Sequence, residues 1–136
     1  MTDGSLTNYA GDAFLQYYLF DNGPVYLALH NAEPTIVPDP STEFAGNEYA
    51  RQLCTWTTPS NKTSGLAAAV IFPDLPDDTL RWFGVWDAPS GSGPSAHLLF
   101  AIPRITSFSD FTIEPLPLTT ADNLTVPAND IVIGPL

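Results

Sequence analysis

The sequence predicts a mainly all-β domain, an antiparallel β-sandwich or small barrel with one N-terminal α-helix. Fourteen prolines and nine glycines punctuate 136 residues too often for long helices. Short apolar pieces recur at intervals of roughly ten to fifteen residues, none long enough to hold the crossover helix of a βαβ unit. Only the first segment has the period of a helix.

In that segment Leu6, Tyr9, Ala10, Ala13, Phe14, Tyr17 and Tyr18 recur at spacings of three and four. This is the stripe of an amphipathic helix over about residues 5–19, packed at an end or edge of the strands. Ser5 or Asp3 is positioned to cap its start, and Asn22-Gly23-Pro24 ends it. The period then changes. Val25 to Leu29, between Pro24 and the turn at residues 31–34, reads as a strand covered on both faces. Residues 33–48 hold Pro34, Pro38, Pro40 and Gly46 without an apolar pattern, and are expected as a long loop. Tyr49 to Thr57 reads as a strand closed by Pro59-Ser60-Asn61. Leu66 to Phe72 reads as another, ended by Pro73, although its three alanines also allow a helix. Pro73 to Asp78 is expected as a rigid acidic turn. Leu80 to Trp86 follows, with Trp82 and Trp86 on one face and Arg81, Phe83 and Val85 on the other. After the Ala88–Pro94 loop, His97–Ile102, Phe111–Glu114, Leu124–Val126 and Ile131–Ile133 complete the strands. The organisation is a single domain over 1–136, with a helical segment at 1–22 and the β-sandwich at 23–136.

Composition narrows the function. Four Lys/Arg against fifteen Asp/Glu give a net charge of −11, although charged residues are only 14% of the chain. The anomaly is a shortage of cations. With Arg51, Lys62, Arg81 and Arg104 alone, phosphate neutralisation along a nucleic acid, or attachment to an anionic membrane, has little to work with. The longest apolar run, Leu66 to Phe72, is far below the roughly twenty residues of a membrane span. The first six residues carry no Lys or Arg ahead of an apolar stretch, so they lack the form of a secretory signal. A soluble protein made in a cytoplasm is expected. At 44% hydrophobic, with three Trp, five Tyr and eight Phe, the chain can fill a core.

Chemistry-bearing motifs are scarce. The one cysteine, Cys54, excludes an internal disulfide and reads as a small buried residue. His30 and His97 stand at strand ends without a second ligand at metal spacing, and read as satisfied structural histidines. No Gly-x-Ser-x-Gly elbow and no phosphate-binding loop occurs. Asp74, Asp77 and Asp78 form the densest carboxylate cluster. They lack the ligand spacing of a calcium loop and read as a solvated turn, with ion binding left open. Asn61-Lys62-Thr63 and Asn123-Leu124-Thr125 match glycosylation acceptors, which mean little without a secretory signal. Trp82 and Trp86, two strand steps apart, read either as core and subunit contacts or as an interaction or glycan platform.

Taken in order, the segments Val25-Tyr26-Leu27-Ala28-Leu29-His30-Asn31-Ala32-Glu33-Pro34, Gly46-Asn47-Glu48-Tyr49-Ala50-Arg51-Gln52, Ala69-Val70-Ile71-Phe72-Pro73 and Trp82-Phe83-Gly84-Val85-Trp86-Asp87-Ala88 carry a resemblance. Leu98 to Ile102 and Phe111-Thr112-Ile113 end the series. The chain resembles small tailed-phage virion proteins of the phage tail fibre protein type. In these a helix precedes YVALHTADP-like, GGGYARQ-like, VTFP-like and FGIWDA-like strands. The similarity runs from about Ser5 to Val126. It departs in the insert from Pro34 to Pro40 and at Pro115-Leu116-Pro117, where the family has a glycine-containing turn. The resemblance implies a virion protein, assembled in the host cytoplasm, with no enzymatic residues to carry over; the scarcity of motifs adds the expectation of no catalytic residues, cofactor or metal. Its partners would be capsid, collar or tail subunits, with self-association, and neither nucleic acid nor membrane. Head and tail positions, including capsid decoration, both fit. A host-surface glycan-binding module using exposed aromatics is the alternative, and a small hydrolase with a carboxylate pair is the remaining one.

Overall fold

The structure, a computed structural model, describes residues 6–34, 40–105 and 113–136. Helix α1 spans Asn8–Gln16 and is capped by Thr7, whose Oγ1 accepts from the Ala10 N–H at 3.2 Å. The expected caps, Asp3 and Ser5, lie outside the described residues. Past Gln16 the helix widens into a π-helical turn, Tyr17–Asp21, and Gly23 at φ 107° turns the chain into the first strand.

Four strands form an antiparallel sheet in the order β2 (Gln52–Cys54), β1 (Val25–His30), β6 (Trp82–Trp86) and β7 (Leu98–Pro103). Three two-stranded antiparallel ribbons complete the fold. They pair β3 (Ser64–Gly65) with β10 (Val132–Ile133), β4 (Val70–Leu75) with β9 (Asp122–Val126), and β5 (Asp78–Leu80) with β8 (Leu116–Leu118). The architecture is therefore mainly β and antiparallel with one N-terminal helix, as the punctuation and period predict. The ribbons and the sheet share one core. Leu27, Leu29, Phe83 and Val85 come from the sheet, Val70, Phe72, Leu75, Leu80, Val126 and Ile133 from the ribbons, and Leu15 and Leu19 from the helical segment. Burying each such side chain contributes roughly 1.5–3 kcal/mol.

Several boundaries differ from expectation. β4 continues through Pro73 to Leu75, so most of the expected acidic turn is strand. The proline is tolerated because the register shifts between Phe72 and Leu75, and Asp74, at φ 50°, occupies the bulge. The expected strand from Leu66 is split, because residues 67–69 leave the ladder while Leu66 bridges Trp56. The expected strand Leu80–Trp86 breaks at Arg81, whose N–H donates to the His30 carbonyl at 3.0 Å. The Tyr49–Thr57 strand shrinks to β2. Leu116-Pro117-Leu118, which overlaps the expected departure at Pro115-Leu116-Pro117, pairs with β5 as a strand. Of the expected Phe111–Glu114 strand, residues 111–112 lie outside the described residues, and Ile113 bridges Ile105. Of the expected 33–48 loop, the stretch Thr42–Phe44 follows β1 instead: Asn31 N donates to Thr42 O at 2.8 Å and Phe44 N to Leu29 O at 2.9 Å.

Candidate functional site

The motif residues converge in one buried polar cluster. β1 carries His30, the stretch after the 3-10 turn Pro40–Thr42 carries Glu43, the approach to β2 carries Tyr49 and Arg51, and β6 carries Gly84 and Trp86. The Arg51 guanidinium forks onto Glu43, Nε to Oε2 and Nη2 to Oε1, both at 3.0 Å. Nη1 donates to the Ala88 carbonyl at 3.2 Å and Nη2 to Gly91 at 2.8 Å, which pins the loop after β6. The side chains of Arg51 and Glu43 are 2% and 11% exposed, so the pair is desolvated and must be hydrogen-bonded to be tolerated. Tyr49 adds a third bond to Glu43, donating its hydroxyl to Oε2 at 2.6 Å while accepting the Leu29 N–H at 3.0 Å.

His30 and Trp86 form the other half. The Arg51 Cζ lies 3.8 Å from the Trp86 ring centroid, and the His30 ring stacks on Trp86 at 13°. Trp86 Nε1 donates to His30 Nε2 at 3.4 Å, which makes Nε2 an acceptor and leaves the proton on Nδ1, facing Thr42 Oγ1 at 2.9 Å. Gly84 is required here, since a Cβ at that position would stand 2.6 Å from His30 Nε2.

The electrostatics suit a static cluster. Burial pulls the His30 imidazole down to about 4, against a smaller upward pull from Glu43, so the ring is neutral at physiological pH. Burial and the Glu43 carboxylate push the Tyr49 phenol far above its ordinary value. Neither group is poised to exchange protons near neutrality.

The expected site residues do not gather on a shared exposed face. Trp86 is fully buried beneath Arg51, because β6 is covered on both sides. A sugar platform on that side would rest on half-buried Trp82 alone. The three aspartates disperse. Asp74 sits in the bulge, Asp77 accepts the Thr120 N–H, and Asp78 accepts from Asn31 Nδ2 at 3.1 Å and from the Thr79 N–H at 2.8 Å. Among the described residues no group of three His, Cys, Asp or Glu side chains is placed to hold a metal ion. Cys54 is buried, with its thiol pushed up to about 12 by that burial. His97 is held at the exposed mouth of β7 by Asp87, Nδ1 to Oδ2 at 2.7 Å and backbone N to Oδ1 at 2.6 Å. That pairing spans ten residues and was not apparent from spacing.

The helical segment carries the feature that the stripe did not anticipate. Its buried side chains are Leu15 and Leu19, four residues apart, with Gly11 on the same side. Gly11 fits because it packs on the Lys62 side chain, where a Cβ would collide. The opposite face therefore points to solvent: Tyr9 is 86% exposed, Tyr17 50%, Phe14 43% and Phe20 39%. Leu6, 41% exposed, joins them, and the exposed Asp21 carboxylate, which accepts from Gln16 Nε2 at 3.1 Å, lies beside Phe20. No described helix is long and apolar enough to cross a membrane.

The chain is thus a strand-rich antiparallel scaffold whose conspicuous polar residues bind one another inside and whose helical segment leaves aromatic rings exposed. Comparison with known families makes this specific. The family described as Podophage GP4 fiber I protein gp80 matches residues 5–133, and the chain belongs to that family of phage fibre proteins. No curated protein matches the chain.

Proposed function

We propose that this protein is a non-enzymatic structural component of a tailed-phage virion, associated with the tail fibres, and that it packs against other virion subunits through the exposed face of its N-terminal helix. The exposed rings of α1 and of the π-helical turn after it carry the reading. Four rings and Leu6 stand partly in solvent on the helical segment, with the Asp21 carboxylate beside them, and exposed apolar patches of this kind are often functional. The interior supports it, since four of the five N–H donors of Arg51 are engaged within the chain and His30 has both ring nitrogens occupied. Four Lys/Arg stand against fifteen Asp/Glu, and Arg51 is buried on Glu43, so the surface offers little to a nucleic acid.

Mass spectrometry of purified virions tests the reading. The chain is expected in intact particles, at a copy number set by the tail's symmetry. A copy number in the hundreds would move it to capsid decoration, and its absence from particles would end the proposal. Replacing Tyr9 and Tyr17 by Glu is expected to leave the fold intact and to reduce incorporation.

A further inference from the structure

The hydrogen-bonded strands run almost once around the core. β7, β6, β1 and β2 lie side by side, and the chain after β2 goes on pairing: Ala67 N donates to Thr55 O and Thr57 N to Gly65 O, both at 2.8 Å. β3 then pairs with β10, beside which Leu66 N donates to Ile131 O at 2.9 Å. Among the described residues the series stops at both ends, because β7 has no strand partner besides β6 and β10 none besides β3. The two unpaired strands border one groove of about 1090 Å³. It lies beside the aromatic ridge of the helical segment, whose Phe14 packs edge-on against Phe100 at 6.3 Å. The circuit is a barrel left open between β7 and β10.

The lining selects what fits the opening. One face of a strand would contribute every second residue, but residues 100–105 and 130–136 line the groove consecutively, so the strand edges, with their N–H and C=O groups, border it. Size agrees. Six residues of strand run roughly 20 Å, and a strand fills roughly 5 Å along a sheet and 10 Å through it, or about 1000 Å³. An α-helix of that length, roughly 10 Å or more across, needs about 1600 Å³ and leaves the edge groups unpaired. At the rim, Arg104 donates Nη1 to the Glu114 carbonyl at 2.6 Å and lies 3.8 Å from its carboxylate, so with Asp130 the balance there is negative.

We propose that a different subunit of the virion closes this barrel, laying an extended segment of about six residues between β7 and β10. The segment is apolar at alternate positions, to cover Phe100, Ile102 and Val132, and carries Lys or Arg where it passes Glu114 and Asp130. A second copy of this chain, also of net charge −11, would bring like charge to that rim, whereas a basic segment is drawn to it. Ladder bonds to both edges supply affinity, and the apolar side chains set the register. This rests on the reading of the chain as a virion component and uses a second surface, next to the exposed rings.

Photocrosslinking in purified virions tests it. With p-benzoylphenylalanine at Val132, an exposed position on the groove wall, irradiation should couple this chain to a different virion protein. Mass spectrometry of the conjugate should map the joint to an apolar-alternating segment with a Lys or Arg nearby. The same probe at Ile71, exposed on β4 outside the groove, should not give that conjugate. Asp130→Lys, at an exposed bend, should lower the yield about threefold at low salt. Backbone amides of residues 100–103 and 132–133 should exchange hydrogen at least about tenfold more slowly in virions than in the isolated chain. Circular dichroism of the isolated variants checks that each is folded. A conjugate with a second copy of this chain overturns the proposal, as does the lack of any conjugate from Val132, a yield that Asp130→Lys leaves unchanged, or equal exchange in both states. Each of these leaves the chain in the virion and the structural reading standing; a chain missing from virions ends both.

Discussion

The cluster around Arg51 seals a guanidinium, a carboxylate, an imidazole and a phenol away from water, while α1 and the π-helical turn after it, in the same chain, leave four aromatic rings exposed. In the first region each polar group was given a partner, so burial costs little and orientation is fixed. In the second, apolar area remains unspent on the chain's own core. The contrast teaches that residue type alone does not assign a side chain to inside or outside; the available partners do. It also separates two tasks, since the cluster fixes the loop after β6 and the edges of β1, whereas the ridge is available to another molecule.

The largest expected effect breaks the inner region. Arg51→Met removes the cation and leaves the Glu43 carboxylate buried with only Tyr49 beside it, and frees the Ala88 and Gly91 carbonyls. Urea unfolding should show a loss of about 3–5 kcal/mol. Adding Glu43→Gln should recover part of it, because the stranded charge is then gone. A loss under 1 kcal/mol for Arg51→Met alone would mean that water reaches the carboxylate.

Acid should strain the same region. The unfolded imidazole of His30 takes its proton near pH 6.5, and the folded one resists it down to about 4 because burial disfavours the charged form. Between those values the unfolded chain binds more protons, so this contribution to stability is complete above about pH 6.5 and is lost as the pH falls towards 4. The loss is on the order of 3 kcal/mol. Comparing unfolding of the wild type and His30→Gln across that range isolates the contribution; parallel curves would sink it. Gly84→Ala, which drives a methyl into His30 Nε2, is expected to cost roughly 1–3 kcal/mol at neutral pH and to raise the unfolding rate.

Much of the frame was legible. The 3.6-residue period located the helix, and the apolar run Val25–Leu29 announced a strand covered on both sides, because only such a strand dispenses with alternation. The helix's outward face was not legible, since Leu15 and Leu19 compete with the aromatic stripe for the core. What decided it was Lys62, fifty-one residues after Gly11, whose methylenes need a position without a Cβ. The strand character of Leu116-Pro117-Leu118 was hidden because proline signals a turn locally, while Pro117 stands opposite Thr79 on a two-stranded ribbon that needs few ladder bonds. The motif residues Tyr49, Arg51, Gly84 and Trp86 were visible as words. That they interlock around Glu43 and His30 depends on the β1–β6 register, Tyr26 opposite Trp86 and Ala28 opposite Gly84, which spacing along the chain does not encode.

The smallest effect on stability sharpens the contrast most. Tyr9, at 86% exposed, belongs to no buried contact, so Tyr9→Ser should change the unfolding free energy of the isolated chain by less than about 0.5 kcal/mol. The serine has poorer helix propensity than most residues but sits in the first turn, near the Thr7 cap, where that loss is small. The same substitution removes the most exposed ring of the ridge, so any assembly that uses α1 should weaken while the monomer does not. Unfolding of the isolated chain, set against incorporation into virions, reads both quantities for one variant. If Tyr9→Ser destabilises the isolated chain beyond that bound, the ring is part of the chain's own packing, and the division between an inward-facing cluster and an outward-facing ridge fails at that residue.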